Sequence, residues 1–204
     1  MIPGSRSVRV LLALLLLAAG ACGGEPRSDT SAALTSPAHA QDSFWTGLQQ
    51  LCGLAFEGRV VESNAQDSIF LGRTLTMHVR ECTEPVVRIP FHVGENRSRT
   101  WVLTRTAEGL RLKHDHRHED GSEDAVTQYG GDAATPGTAE RQEFPADSFT
   151  AALVPAAATN IWTVELIPGR TFAYALRREG TDRRVRIEFD LTRPVEPPPP
   201  PWGP

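Results

Sequence analysis

The sequence predicts a mainly β fold, an antiparallel barrel or sandwich of about eight or nine strands behind a short helix. Three observations carry this. From residue 57 to residue 191, segment after segment alternates apolar and polar residues with a period of two. Turn formers separate the segments, at Gly109, at Pro168-Gly169 and at Glu179–Asp182. One early stretch, "SFWTGLQQLCGLAF", has apolar residues at helical spacing instead.

Taken in order, Ser43 is placed to cap that helix, with Phe44, Leu48, Leu51 and Ala55 near one face. "EGRVVES" then opens the strands. "SIFLGRTLTMHVREC" sets Leu75, Met77 and Val79 against Thr74, Thr76, His78 and Arg80. "PVVRIPFHVG" sets Val87, Ile89, Phe91 and Val93 against Arg88, Pro90 and His92. Pro90 lacks a ladder N–H, which calls for an edge position or a bulge. "RSRTWVLTRT" and "EGLRLKHDHRH" pair as a hairpin, and "AVTQYGGD" adds a short strand. Residues 130–160 read as loop with one apolar piece, "DSFTAALV". The last stretch is a meander of three strands, its final member alternating Val185, Ile187, Phe189 and Leu191 with Arg184, Arg186, Glu188 and Asp190.

The chain's ends speak about location. Arg6 and Arg9 precede an apolar run from Val10 to Ala19 and then small residues, the layout of a secretory signal and too short for a spanning helix. The segment "AAGAC" resembles the lipobox of bacterial lipoproteins at Gly20, Ala21 and Cys22, with alanine at 19 where that family usually has leucine. The resemblance implies a lipid on Cys22, a membrane anchor, and residence in the bacterial cell envelope, periplasmic or held at the outer membrane. The alternative is ordinary cleavage near Ala40, which would release a soluble secreted protein. The resulting division is a signal peptide over 1–21, a flexible tether over 22–42, one domain over 43–193 and a proline-rich tail over 194–204. The tail, "RPVEPPPPPWGP", is polyproline II and reads as a stiff, disordered end; the other reading is a segment that docks on a partner through Trp202. A formal net charge of −4 gives no footprint for nucleic acid. Lys113 is the only lysine.

Three cysteines are present. With Cys22 set aside for lipid, Cys52 and Cys82 remain in an oxidising compartment, and a disulfide between them is the simplest account. In the chain-entropy model such a bridge contributes about 3–4 kcal/mol.

The chemistry, if any, lies in "GLRLKHDHRHEDGSED". As a strand it puts Leu110, Leu112, His114, His116 and His118 on one face, with Arg111, Lys113, Asp115 and Arg117 on a solvent face. Three readings stay open. His-x-His on a strand can grip a divalent transition metal, with Glu123 at hand as a further ligand. The histidines can line a polar cavity. Or the acidic turn that follows can end a hairpin in water. Nearby, "GENRSRTW" sets Arg97 and Arg99 beside Trp101, a pattern that suits an anion or a plain surface turn. No Gly-x-Ser-x-Gly, Walker loop or dinucleotide fingerprint is present, so neither a nucleophile nor a nucleotide motif supports an enzyme.

Two resemblances bear on the core. The short helix, the aromatic-rich "FWTGL" and the run of strands are similar in layout to calycin-type barrels, although the Gly-x-Trp of lipocalins is reversed here as Trp45-Thr46-Gly47. His116, His118, Glu123 and Gly130 resemble part of the first cupin motif, with Gly109 one residue too far upstream and no later histidine to complete the second motif. The calycin resemblance is one of architecture, and the favoured expectation is binding: a small ligand or a metal ion held in the barrel cavity, with His114, His116 and His118 facing it. The cupin resemblance implies a metal-dependent enzyme, with His78 or His92 supplying a further ligand. A structural envelope protein acting through partners is the third. Mass spectrometry of the exported protein without reductant is expected to show a Cys52–Cys82 linkage; two free thiols there would refute it.

Overall fold

The computed structural model describes residue 1, residues 37–64 and residues 69–203. The signal peptide, Cys22 and most of the expected tether lie outside them. Among the described residues no helix is long and apolar enough to cross a membrane.

The chain begins its domain earlier than the sequence suggested. Helix α1 spans Pro37–Gln49, so Ser43 sits inside it rather than at its cap. Its buried side chains, Phe44, Trp45 and Leu48, fall on one face at helical spacing. Leu51 follows it into the core. Eleven strands come next: β1 Ala55–Ser63, β2 Leu75–His78, β3 Glu81–Cys82, β4 Val86–Val93, β5 Asn96–Thr106, β6 Gly109–His116, β7 Tyr129–Asp132, β8 Arg141–Pro145, β9 Asn160–Ile167, β10 Thr171–Arg178 and β11 Arg184–Val195. Helix α2, Ser148–Leu153, lies between β8 and β9. Two elements were thus hidden in the expected loop: "RQEFP" is β8, and "SFTAAL" is α2, capped by the Asp147 side chain on the Thr150 N–H.

All the strands join one antiparallel sheet in the order β7-β6-β5-β4-β2-β1-β11-β10-β9-β8, with β3 added to β4. Two meanders, β4–β7 and β8–β11, are bridged by β1 and β2. The sheet curls into a nearly closed barrel whose interior holds the alternating apolar residues, Val185, Ile187 and Phe189 of β11 among them. Pro90 stands within an interior strand, paired with Thr100 on one side. On its other side the register steps by one residue between Met77↔Phe91 and Glu81↔Arg88, so the ladder is interrupted where Pro90 has no N–H to give.

Helix α1 covers the end of the barrel where β6 begins and β9 ends. The Trp45 indole donates to Glu84 (2.8 Å), and Arg105 lies 5.9 Å over the same ring while pairing with Asp42. Cys52 and Cys82 are bonded, tying the chain just after α1 to β3. At the far end of the chain the tail is not a free end. After Val195 it lies against the sheet, with the Trp202 N–H donating to the Arg97 carbonyl (3.2 Å) and Arg97 Nη1 to the Pro200 carbonyl (2.9 Å).

Where β7 meets β8 the barrel closes through a side chain. The Thr150 hydroxyl accepts from the Gly130 N–H (2.7 Å) and donates to the Gly130 carbonyl (2.8 Å). The Asp147 N–H adds a bond to that carbonyl (2.9 Å). Glycine is required at the junction: a Cβ on Gly131 would fall 1.8 Å from the Pro145 carbonyl oxygen. Thr150→Val keeps the shape and removes the hydroxyl, leaving the buried Gly130 N–H without its partner and the carbonyl with the Asp147 N–H alone. We expect a loss of about 1–3 kcal/mol in urea denaturation, and a loss below about 0.5 kcal/mol would show that the seam does not depend on the hydroxyl.

Candidate functional site

At the end of the barrel away from α1, a cavity of about 320 Å3 opens where β5 begins, β6 ends, β9 begins and β10 ends. Strand alternation builds it. Arg99 and Trp101 of β5 pair with His116 and His114 of β6, and His114 pairs in turn with Tyr129 of β7. Tyr174 reaches in from β10 and Trp162 from β9. Trp101 stacks with Tyr174 (4.5 Å) and Phe91 (4.7 Å), and the His114 imidazole stacks with the Tyr129 ring (4.5 Å). Ile69 and Val126, both largely exposed, give the mouth an apolar rim.

His114 is buried and fully bonded. Its Nδ1 lies 3.1 Å from the Tyr129 carbonyl, which can only accept, so Nδ1 carries the proton. Nε2 therefore accepts, from the Tyr174 hydroxyl at 2.8 Å. The pair ties β6 to β10 across the interior. Burial pushes His114 down to about 3, against an opposing contribution from the Tyr129 carbonyl. His116 shares a 3.1 Å hydrogen bond with the Tyr129 hydroxyl and is lowered to about 4, by burial first and then by the Arg99 charge. Burial raises Tyr129 to about 12, so the phenol stays neutral. Both histidines are uncharged posts at neutral pH.

The expected histidine face thus divides. Leu110, Leu112, His114 and His116 point inward. His118 lies past the end of β6 and is exposed. Glu123 is exposed as well and pairs with Arg117 (3.1 Å). His78 and His92 lie on the other face of the sheet, since their neighbours Met77 and Phe91 point into the core. Among the described residues no group of three or more His, Cys, Asp and Glu side chains is placed to hold a metal ion. The supposed solvent face holds a further surprise: Asp115 is 2% exposed, bonded to Arg88 (2.7 Å) and Arg117 (2.8 Å).

No protein-family model matches this chain, and neither does any curated protein or solved structure. The site therefore speaks through its own chemistry.

Arg99 is the residue that the histidine pattern overshadowed. Its guanidinium donates to Asn96 (2.9 Å) and Ser98 (3.3 Å), both neutral, and among the described residues it has no carboxylate partner. Burial lowers its pKa from the ordinary value, with Tyr129 and Tyr174 opposing. Arg178 and Arg183 also line the cavity, and among the described residues no aspartate or glutamate does. The available signal was "RSRTW", in which Arg99 and Trp101 share a strand face. A larger depression on the outer face of β9–β11, about 630 Å3, is a different kind of place. Its arginines already face carboxylates, as in Arg177–Glu179 and Arg186–Glu188.

The buried imidazoles predict a pH dependence. His92 is also pushed down to about 4, by burial and then by Arg97 and His78. Above the ordinary value of 6.5 these rings are neutral in both the folded and the unfolded chain. Below it the unfolded chain binds protons that the folded one refuses, until about pH 4 for His92 and His116 and about pH 3 for His114. Stability should fall as pH drops through that window, by at most ~1.4 kcal/mol per pH unit for each ring. Urea midpoints between pH 6.5 and 5, above the carboxylate range, check this. A flat profile there would contradict the buried neutral histidines.

Proposed function

We propose that this protein is a bacterial envelope lipoprotein, anchored through Cys22, that binds a small amphipathic organic anion in the mouth of its barrel. One observation carries the ligand class: a half-buried arginine that, among the described residues, has no carboxylate partner, facing a cavity of aromatic walls to which none of those residues adds a carboxylate. An arginine held among neutral groups is costly until an anion arrives, and a carboxylate or sulfonate meets its planar fork with two parallel bonds. Phe70, with Ile69 and Val126 at the rim, offers apolar surface for the rest of the same ligand. Tyr129 and Tyr174, with their histidines, hold these walls in place and supply neutral polar groups beside the charged head.

The geometry supports an organic ligand ahead of a divalent metal. Both nitrogens of His114 are engaged, and His116 stands beside the positive charge of Arg99. A cationic wall repels a metal ion as it attracts an anion.

An anionic naphthalene sulfonate and a neutral naphthalene of equal size separate these possibilities. The sulfonate is expected to bind with quenching of tryptophan emission, and Arg99→Ala should weaken it tenfold or more while leaving the neutral probe within twofold. Equal weakening of both would make Arg99 a structural residue and sink the anion reading. Stoichiometric transition metal in the purified chain, lost in His116→Ala/His118→Ala, would favour the metal instead.

A further inference from the structure

Four polar side chains on the outer face of the sheet are buried where solvent is expected. His78, His92, Thr100 and Asp115 point away from the core by register, yet their exposures are 7%, 4%, 4% and 2%. Asp115 is held between Arg88 and Arg117, and the tail lies against the same face, at Arg97 and Arg117. The tail leaves the sheet at Val195, whose pairing partner Ala55 is in turn paired with His78, and it next bonds the structure at Arg97. From β11, which holds Val195, to β5 is four interstrand steps, and Arg97 lies three residues along β5 from Thr100, the partner of Pro90. At ~4.8 Å per step and ~3.3 Å per residue the diagonal is roughly 22 Å. Seven residues of polyproline II also span roughly 22 Å. A straight path of that length leads across β1, β2 and β4, past His78 and His92.

We propose that the outer face of β2, β4 and β5 is a recognition site for proline-rich polyproline II segments, occupied by the chain's own tail and open to a proline-rich partner segment that displaces it. A polyproline II strand has little conformational freedom to lose, and its unpaired carbonyls invite donors such as Arg97 Nη1. The floor does not need the tail to hold its shape, because Asp115 stays fixed between Arg88 and Arg117. The resident fit is also imperfect. Among the described residues, Trp202 Nε1 and His92 Nε2 are both buried without a hydrogen-bond partner, which is unfavourable for each. A segment that satisfies His92 and places its aromatic ring differently competes on better terms than the tail.

Tethering sets the threshold for exchange. A short linker presents the tail at a local concentration on the order of millimolar, so a free segment of equal intrinsic affinity is held off until the tail is removed. The test compares the full chain with a chain ending at Val195. The probe is a fluorescently labelled peptide of residues 196–204, followed by anisotropy. The truncated chain is expected to bind it saturably and at least tenfold more tightly than the full chain does. Replacing the five consecutive prolines of the peptide by alanine should cost tenfold or more. A folded truncated chain that ignores the peptide, or binds the alanine peptide equally well, overturns the site. Equal affinities for full and truncated chains overturn occupancy by the tail. If truncation unfolds the domain, Trp202→Ala in the full chain decides: millimolar peptide should move the His92 ring resonances, and unmoved resonances overturn the proposal.

Discussion

The barrel depends on one hydroxyl. A sheet of this length has two ends, β7 and β8, each with unpaired backbone groups, and an open edge is both a loss of hydrogen bonds and a hazard for association. The two ends do not form a ladder. Thr150 serves both the N–H and the carbonyl of Gly130, and Asp147 contributes from the cap of the same short helix. A side chain in the first turn of α2, with the N–H of its cap, thereby substitutes for a strand pairing. The closeness this requires is possible only because Gly130 and Gly131 have no Cβ, one beside the Leu112 carbonyl and the other beside that of Pro145. Much of the site follows from this closure. Strand β7 carries Tyr129, whose carbonyl sets the tautomer of His114 and whose hydroxyl holds His116.

The interior polar groups are arranged so that charge is scarce except at one place. Desolvation keeps His114 and His116 neutral and Tyr129 protonated, and each of them is hydrogen-bonded. A neutral bonded network in a low-dielectric interior is inexpensive and stiff. Arg99 differs, since its guanidinium cannot shed its proton to escape burial. The outer face of the same strands solves the problem in the opposite way. There Asp115 is covered and is compensated by two arginines. Adjacent residues of β6 therefore face two regimes, one with an uncompensated cation and one with a compensated anion.

Much of this was legible from alternation alone. Strict period-two patterning located β4–β6 and β9–β11, and it put His114 and His116 on the inner face beside Leu110 and Leu112. It failed where structure is set by contacts distant in sequence. Strand β8 is too short to show a period, and "SFTAAL" becomes a helix because Asp147 caps it and Thr150 is needed at the seam. His118 carried the inner parity but lies beyond the last ladder pair, Arg99↔His116, so parity ceased to mean anything for it. Asp115 had the parity of a solvated residue, and nothing local in the sequence announces that Arg88, from a strand distant in sequence, joins Arg117 on it. The proline run gave no sign of where it lies.

The pairing of β1 with β11 has a consequence in time. The first strand of the domain lies between β2 and the last strand, and it meets the latter along nearly its whole length. Val185, Ile187 and Phe189 arrive last and sit at the centre of the core. A partly synthesised chain lacks both the neighbour of β1 and part of the filling of the barrel, and contacts this distant in sequence form slowly. The complete sheet cannot assemble until its final strand exists. For any chain that has to be threaded through a membrane before it folds, that ordering is an advantage: it remains a thread for as long as it needs to be one.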